Sequence, residues 1–212
     1  MVMKRFGAVQ PHDLLWGLPA RALPADAPLW VADALGLGQP VVVRRALVAA
    51  DQIAVGVRGQ QREQRYATLM NRVDIQHQIS PEQLIAAEFE GDHDWPALKA
   101  LKQIKPVMDD LGLVWGVSGS AGFELASGFS ALHAGSDLDL ILRTPQLFSR
   151  NHSAQLVAQL EYAVCRIDVQ LQTPNGGVAL REWAGTAHQV LLKTDHGARL
   201  IDNPWLSIEQ AA

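Results

Sequence analysis

Residues 113–143 read LVWGVSGSAGFELASGFSALHAGSDLDLILR, and this stretch decides the fold of the C-terminal part of the chain. It predicts a strand over 113–117, a glycine-rich turn with a short helix over 119–128, and a second strand over 137–143. On that second strand Asp137 and Asp139 share one face, while the leucines between and after them point into a core. The stretch therefore predicts a small-residue turn followed by two aligned carboxylates.

Such a turn beside two carboxylates indicates a site for phosphate and a divalent cation. Gly119 allows phosphate to approach backbone amides, and Ser120 adds a hydroxyl. Ser136, directly before the acids, and Lys193, at the end of a later strand, are further phosphate-binding candidates. Each feature alone has an ordinary explanation, because Asp-x-Asp is common on exposed strand ends and a strand-end lysine is usually solvated. Their combination favours a site.

Asp168 is the third carboxylate of interest. Residues 165–172 alternate between apolar and polar side chains, which predicts a strand with Asp168 on its polar face. If this strand neighbours 137–143, Asp168 joins Asp137 and Asp139. Three gathered carboxylates repel one another and are tolerated when a divalent cation neutralises them. We expect two Mg²⁺ or Mn²⁺ ions here.

The rest of the pattern predicts an α+β protein with two domains. Strands over 41–43, 53–57 and 66–69 indicate a small strand-rich N-terminal domain over 1–78, whose first thirty residues are mostly loop. The catalytic domain, over 79–212, is expected to hold a mixed sheet flanked by helices. Its predicted helices start at Ser80, Pro96 and Thr144 and span 178–183, and its last strand is 189–193.

Composition narrows the functional classes. The chain has 212 residues, 48% hydrophobic and 19% charged, with a formal net charge of -4. A mildly acidic chain argues against nucleic-acid binding, which needs clustered Lys and Arg. No apolar run is long enough for a signal peptide or a membrane span. The single Cys165 excludes an intrachain disulfide and predicts a buried, inert thiol in a reducing compartment, so we expect a cytoplasmic protein.

One local stretch is basic although the whole chain is acidic. It includes Arg58, Arg62 and Arg65, which we interpret as a candidate dock for an acidic partner or for phosphates. A solvated hairpin surface is the alternative interpretation, since charge runs often serve solubility alone.

Residues 114–169 resemble the nucleotidyltransferase superfamily, in which a Gly-Ser turn precedes a strand with Asp-x-Asp and a later strand supplies a further Asp. The gap between Ser120 and Asp137 is longer here than in many members. A closer resemblance, to the phosphoribosyl-dephospho-CoA transferases of malonate decarboxylase systems, spans most of the chain. It is carried by the motifs at 12–16, 56–59, 119–128, 132–140, 166–170, 182–183, 191–194 and 202–205.

The resemblance implies an activity. Members of that family transfer a prosthetic group from triphosphoribosyl-dephospho-CoA to a serine of the acyl carrier protein subunit of malonate decarboxylase and release pyrophosphate. Two alternatives remain at this point. One is a nucleotidyltransferase that adenylylates another protein or a small molecule, and the other is a non-enzymatic module that only binds its carrier.

Overall fold

The computed structural model describes residues 7–61, 63–87 and 94–206. The chain divides into two compact units, Met1–Ser80 and Pro81–Ala212. None of the helices in these ranges is long and apolar enough to cross a membrane.

The N-terminal unit is built on a five-stranded antiparallel sheet. In spatial order its strands are β4 (Arg65–Asn71), β3 (Gln52–Arg58), β2 (Val41–Val43), β1 (Leu14–Trp16) and β5 (His77–Ile79). Helix α1 (Leu29–Gly36) contributes Val31 and Ala34 to the core beneath this sheet. The three predicted strands are confirmed as β2, β3 and β4. Helix α1 and strands β1 and β5 were not predicted from the sequence. Strands β1 and β5 have three residues each, which is too few to show a period.

The C-terminal unit is built on a six-stranded mixed sheet. Its helices are α2 (Pro96–Asp110), α3 (Gly119–Ser127), α4 (Arg150–Leu160) and α5 (Leu180–Ala184). Its strands are β6 (Trp115–Val117), β7 (Leu138–Arg143), β8 (Ile167–Thr173), β9 (Gly176–Ala179), β10 (Val190–Thr194) and β11 (Gly197–Ile201). They lie in the order β11-β10-β9-β8-β7-β6, and only β7 and β8 run parallel. The α+β prediction is confirmed.

The leucines of β7 place this strand in the core. Leu138, Leu140 and Leu142 are all at most 1% exposed, as the alternation predicts. On the neighbouring strand their partners Ile167, Val169 and Leu171 are buried as well. The residues that alternate with these apolar ones face the opposite side of the sheet. Asp139 and Asp168 lie on that side.

Two predicted helix starts are wrong. The segment after Ser80 forms only a 3-10 turn, Pro81–Leu84, because it packs tightly on β6. A Cβ added to Gly116 would lie 2.4 Å from the carbonyl carbon of Pro81. Thr144 does not cap a helix, since its amide donates to the Gln172 carbonyl at 3.0 Å and extends the ladder between β7 and β8. Helix α4 starts five residues later, where the Ser149 hydroxyl accepts from the His152 amide.

The end of the chain also differs from the prediction. Residues 176–179 form strand β9, so the helix predicted over 178–183 is the shorter α5. Strand β11 was not predicted, although it pairs with β10 along its whole length. Asp195 and His196 form the turn between these two strands, and this turn could have predicted the hairpin.

Candidate active site

The turn between β6 and α3 lies directly against β7. The Ser118 amide donates to the Asp139 carbonyl at 2.9 Å, which fixes the turn to the middle of the site. Gly119 follows with φ +61, in the left-handed region. From there α3 begins, and the first amides of a helix have no partner within the helix. The predicted glycine turn is therefore beside a predicted carboxylate, and Ser120 is the second residue of α3.

Gly119 also touches the Asp139 side chain. A Cβ built on Gly119 would lie 1.9 Å from Asp139 Oδ2, so no other residue fits without displacing the carboxylate. From the sequence, Gly119 is predicted to let phosphate approach the backbone amides. The structure adds a second requirement, because Gly119 leaves the space that the Asp139 carboxylate occupies.

Asp139 and Asp168 are neighbours across the parallel strands. They are paired in register on β7 and β8, which places their Cα atoms about 4.8 Å apart with both side chains on one face. Both are partly exposed. Two of the three predicted acids thus lie side by side. The third, Asp137, directly precedes β7 and is exposed.

Arg166 contacts Asp168 from the same strand end. Its Nε lies 2.9 Å from Asp168 Oδ1, and the two side chains are 62% and 37% exposed. The pKa of the Arg166 guanidinium is raised by this hydrogen bond, by the charge of Asp168 and then by that of Asp137. Sequence reasoning missed this residue. The available signal was Arg-x-Asp on an alternating strand, a spacing that places both side chains on one face.

Cys165 lies next to this cluster. Its thiol is partly buried, not fully buried as predicted, and its Sγ lies 3.6 Å from the Arg166 carbonyl. The pKa of Cys165 is raised, chiefly by burial and to a smaller extent by the charge of Asp137. Asp137 therefore acts electrostatically on the start of β8. The raised pKa agrees with an inert thiol.

The long loop between α3 and β7 is held from within. Glu124 of α3 is 4% exposed, and its Oε2 accepts from the Ala131 and Leu132 amides at 2.6 and 2.7 Å. Ser136 is 7% exposed, and its hydroxyl accepts from the His133 amide at 3.0 Å. Through this contact Ser136 stabilises the loop before β7. Glu124 was not identified from the sequence as a loop anchor.

Lys193 does not join the acids. It is in register with Gly177 of β9, which in turn pairs with Gln172 of β8. Lys193 is therefore two strands from β8, about 10 Å across the sheet, and level with a residue about 13 Å along β8 from Asp168. A lysine side chain does not span that distance. Lys193 therefore does not contact Asp168, and its contact with a phosphate of the donor stays a prediction.

The donor set suits a cation that is shared with phosphate. Within the described ranges no group of three or more His, Cys, Asp or Glu side chains is gathered as a metal site. Asp139 and Asp168 nevertheless place two carboxylates on one face, with the glycine turn beside them. Mg²⁺ is commonly held by one or two carboxylates together with substrate phosphates and water. The residues present fit that arrangement.

The basic candidates belong to the N-terminal unit. Arg58 and Arg65 are paired in register on β3 and β4, so two like charges lie opposite each other on one face. Arg62 lies outside the described residues.

The chain is similar to known phosphoribosyl-dephospho-CoA transferases over nearly its whole length. The family described as phosphoribosyl-dephospho-CoA transferase MdcG C-terminal domain matches residues 83–204, and the corresponding N-terminal domain matches 10–81. A phosphoribosyl-dephospho-CoA transferase of Pseudomonas syringae pv. tomato is 60% identical over 96% of this chain and 97% of its own. One of Pseudomonas fluorescens is 59% identical (95% and 97%), and one of Azotobacter vinelandii 49% (94% and 95%). No solved structure matches the chain.

Proposed function

The chain belongs to the phosphoribosyl-dephospho-CoA transferase family, and from that membership we propose its substrates. The donor is triphosphoribosyl-dephospho-CoA, and the acceptor is a serine of the acyl carrier protein subunit of malonate decarboxylase. The observation that carries the proposal is the contact of Gly119 with Asp139, beside Asp168 on the next strand. A phosphate-binding turn and two carboxylates on one sheet face suit transfer of a phosphoryl-linked group.

The transfer is an in-line displacement at phosphorus. The serine oxygen forms a bond to the α-phosphorus of the donor, and the bond to the outer two phosphates breaks, releasing pyrophosphate. The serine proton passes to a carboxylate on this face, for which Asp168 is the candidate. The amides at the start of α3, with Ser120, bind the outer phosphates and neutralise part of their charge.

Asp139 and Asp168 would hold Mg²⁺ or Mn²⁺, and Asp137 is the candidate further ligand for a second ion. A bound divalent cation supplies charge neutralisation at the transferred phosphate and orients its oxygens. Gly119 keeps the Asp139 carboxylate in place for this role, since its missing side chain leaves the carboxylate's position open. Both the metal and the two-ion count remain predictions.

Arg58 and Arg65 are proposed to dock the acidic carrier protein. The two residues are paired in register on β3 and β4, so both positive charges belong to one part of the sheet, which suits an acidic partner. The reducing compartment predicted from the single cysteine agrees with a cytoplasmic carrier system.

Intact-mass analysis of the apo carrier subunit tests the reaction. After incubation with the protein, triphosphoribosyl-dephospho-CoA and Mg²⁺, we expect a gain equal to phosphoribosyl-dephospho-CoA. The Asp139→Asn variant should load at least about 100-fold more slowly while staying folded, since it loses a charge at the reacting phosphate. Asp195→Asn, in the turn between β10 and β11, is the matched control and should load normally.

Two results would count against the proposal. A gain the size of AMP from ATP would identify an adenylyltransferase instead. Unchanged loading by Asp139→Asn would reject the assignment of this site, whatever the reaction.

A further inference from the structure

Arg166 is paired with Asp168, the carboxylate that the proposed function assigns to a cation. Its Nε is 2.9 Å from Asp168 Oδ1, and Asp168 is in register with Asp139. A guanidinium on that carboxylate repels a divalent cation placed against it, because the two positive charges would lie a few ångströms apart. The two cations therefore compete for one position.

The Arg166 backbone is fixed, whereas its side chain has room to move. Its carbonyl accepts from the Leu138 amide at 2.9 Å, which ties the residue into the ladder between β7 and β8. The side chain itself is 62% exposed. A partly exposed ion pair of this kind is weak and easily exchanged. The guanidinium can therefore leave Asp168 without any change in the sheet.

A released guanidinium would stay close to the glycine turn. Arg166 directly precedes β8, Asp168 neighbours Asp139, and Asp139 touches Gly119. The anion expected at this turn is the phosphate tail of the donor. Guanidinium groups bind phosphate oxygens through paired N–H donors, which a lysine ammonium does not reproduce.

We propose that Arg166 exchanges partners during loading: it holds Asp168 in the free protein and moves to the donor's outer phosphates when a divalent cation takes Asp168. This inference rests on the proposed function of the site. Arg166 thereby restrains cation binding in the absence of phosphate and contributes to phosphate binding once the cation is present. The residue acts as a switch between the two ligands.

Binding measurements without donor or carrier test the exchange. In the first, Mn²⁺ is titrated into the full chain and the free ion is followed by electron paramagnetic resonance. Arg166→Gln should bind Mn²⁺ about threefold to tenfold more tightly than the unmodified chain, because a competing positive charge is gone. In the second, inorganic pyrophosphate is titrated in excess Mg²⁺ by calorimetry. Here Arg166→Gln should bind about tenfold or more weakly, because a charge-assisted contact is lost.

Two further variants separate this role from a merely structural one. Arg166→Lys keeps the charge and should leave Mn²⁺ affinity near that of the unmodified chain, with pyrophosphate affinity between the two. Arg181→Gln is the matched control, since Arg181 also forms an exposed pair, with Glu161 at 3.3 Å. It should change neither affinity. Circular dichroism of each variant checks that the fold is retained.

The exchange requires both shifts in Arg166→Gln. Unchanged or weaker Mn²⁺ binding would overturn it, and so would unchanged pyrophosphate binding, because Arg166 would then be an ordinary surface ion pair. Since neither measurement uses the carrier, failure here leaves the transferase proposal standing. Conversely, if both affinity shifts are observed but the carrier is not loaded, the proposed substrate is wrong and the exchange of partners by Arg166 is still supported.

Discussion

At the scale of single residues, Gly119 is the most demanding position of the site. Gly119→Ala places a methyl group 1.9 Å from Asp139 Oδ2 at a backbone with φ +61. We expect carrier loading to fall by at least about 100-fold, since the carboxylate must move. We also expect unfolding free energy to drop by about 1–2 kcal/mol from the backbone conformation. Loading rates and urea unfolding measure the two effects.

Gly128 separates the steric effect from the backbone effect. It ends α3 with φ +71, and a Cβ there would meet nothing within 4 Å. Gly128→Ala should therefore lose similar stability and keep most of its loading rate. Equal loss of activity in both variants would mean that strain in α3, and not the Asp139 contact, sets the requirement for glycine at 119.

Cys165 gives a residue-scale prediction with a pH dependence. Its pKa is raised, chiefly by burial, so the reactive thiolate forms only at higher pH than in an unfolded chain. Iodoacetamide should therefore label the folded protein more slowly than the urea-unfolded protein near pH 8.5. Asp137→Asn removes a negative charge that disfavours the thiolate, so labelling should become faster, whereas Asp195→Asn should have no effect. Identical rates in Asp137→Asn and the unmodified chain would contradict the assigned position of Asp137.

At the scale of elements, α3 positions the loop that leads into β7. Glu124 accepts two amide hydrogen bonds from that loop in a buried environment. Glu124→Ala leaves both donors unsatisfied and should lower the unfolding free energy by about 2 kcal/mol or more. Glu124→Gln keeps an acceptor oxygen and should lose about 1 kcal/mol or less, because neutral hydrogen bonds are weaker than charge-assisted ones. Urea unfolding of both variants measures the difference, and similar losses would show that the two contacts contribute little.

The same scale shows what the sequence could predict. Alternation in 137–143 and 165–172 was sufficient for β7 and β8, because the apolar residues on one face of each strand are buried while Asp139 and Asp168 on the other face are partly exposed. Their parallel pairing, which brings Asp139 beside Asp168, is a tertiary fact that one strand pattern cannot contain. The role of Arg166 could not be predicted either, because it depends on the contact with Asp168. The sequence Thr144-Pro145 wrongly predicted the start of a helix. It is typical of a helix N-cap, but the Thr144 amide instead donates to the Gln172 carbonyl.

At the scale of the whole molecule, the two units carry different proposed tasks. The glycine turn and the acids lie in Pro81–Ala212, and the basic pair Arg58 and Arg65 lies in Met1–Ser80. A transferase that acts on a protein has to bind both a small donor and a large acceptor. We expect the two tasks to be separable by mutation, since charge at a docking surface changes association more than chemistry.

Reversing the basic pair tests that separation. The double variant Arg58→Glu with Arg65→Glu should raise the KM for the carrier about tenfold, because an acidic partner then meets like charges. The kcat and the affinity for pyrophosphate should stay unchanged, since neither residue is among the acids and turn residues proposed to bind the donor. Arg21→Glu, an exposed reversal in the same unit, is the control and should leave KM near its original value. High salt should raise the KM of the unmodified chain toward that of the double variant, because screening weakens the same attraction. A KM that responds to neither salt nor charge reversal would assign Arg58 and Arg65 to a solvated hairpin and place the carrier elsewhere.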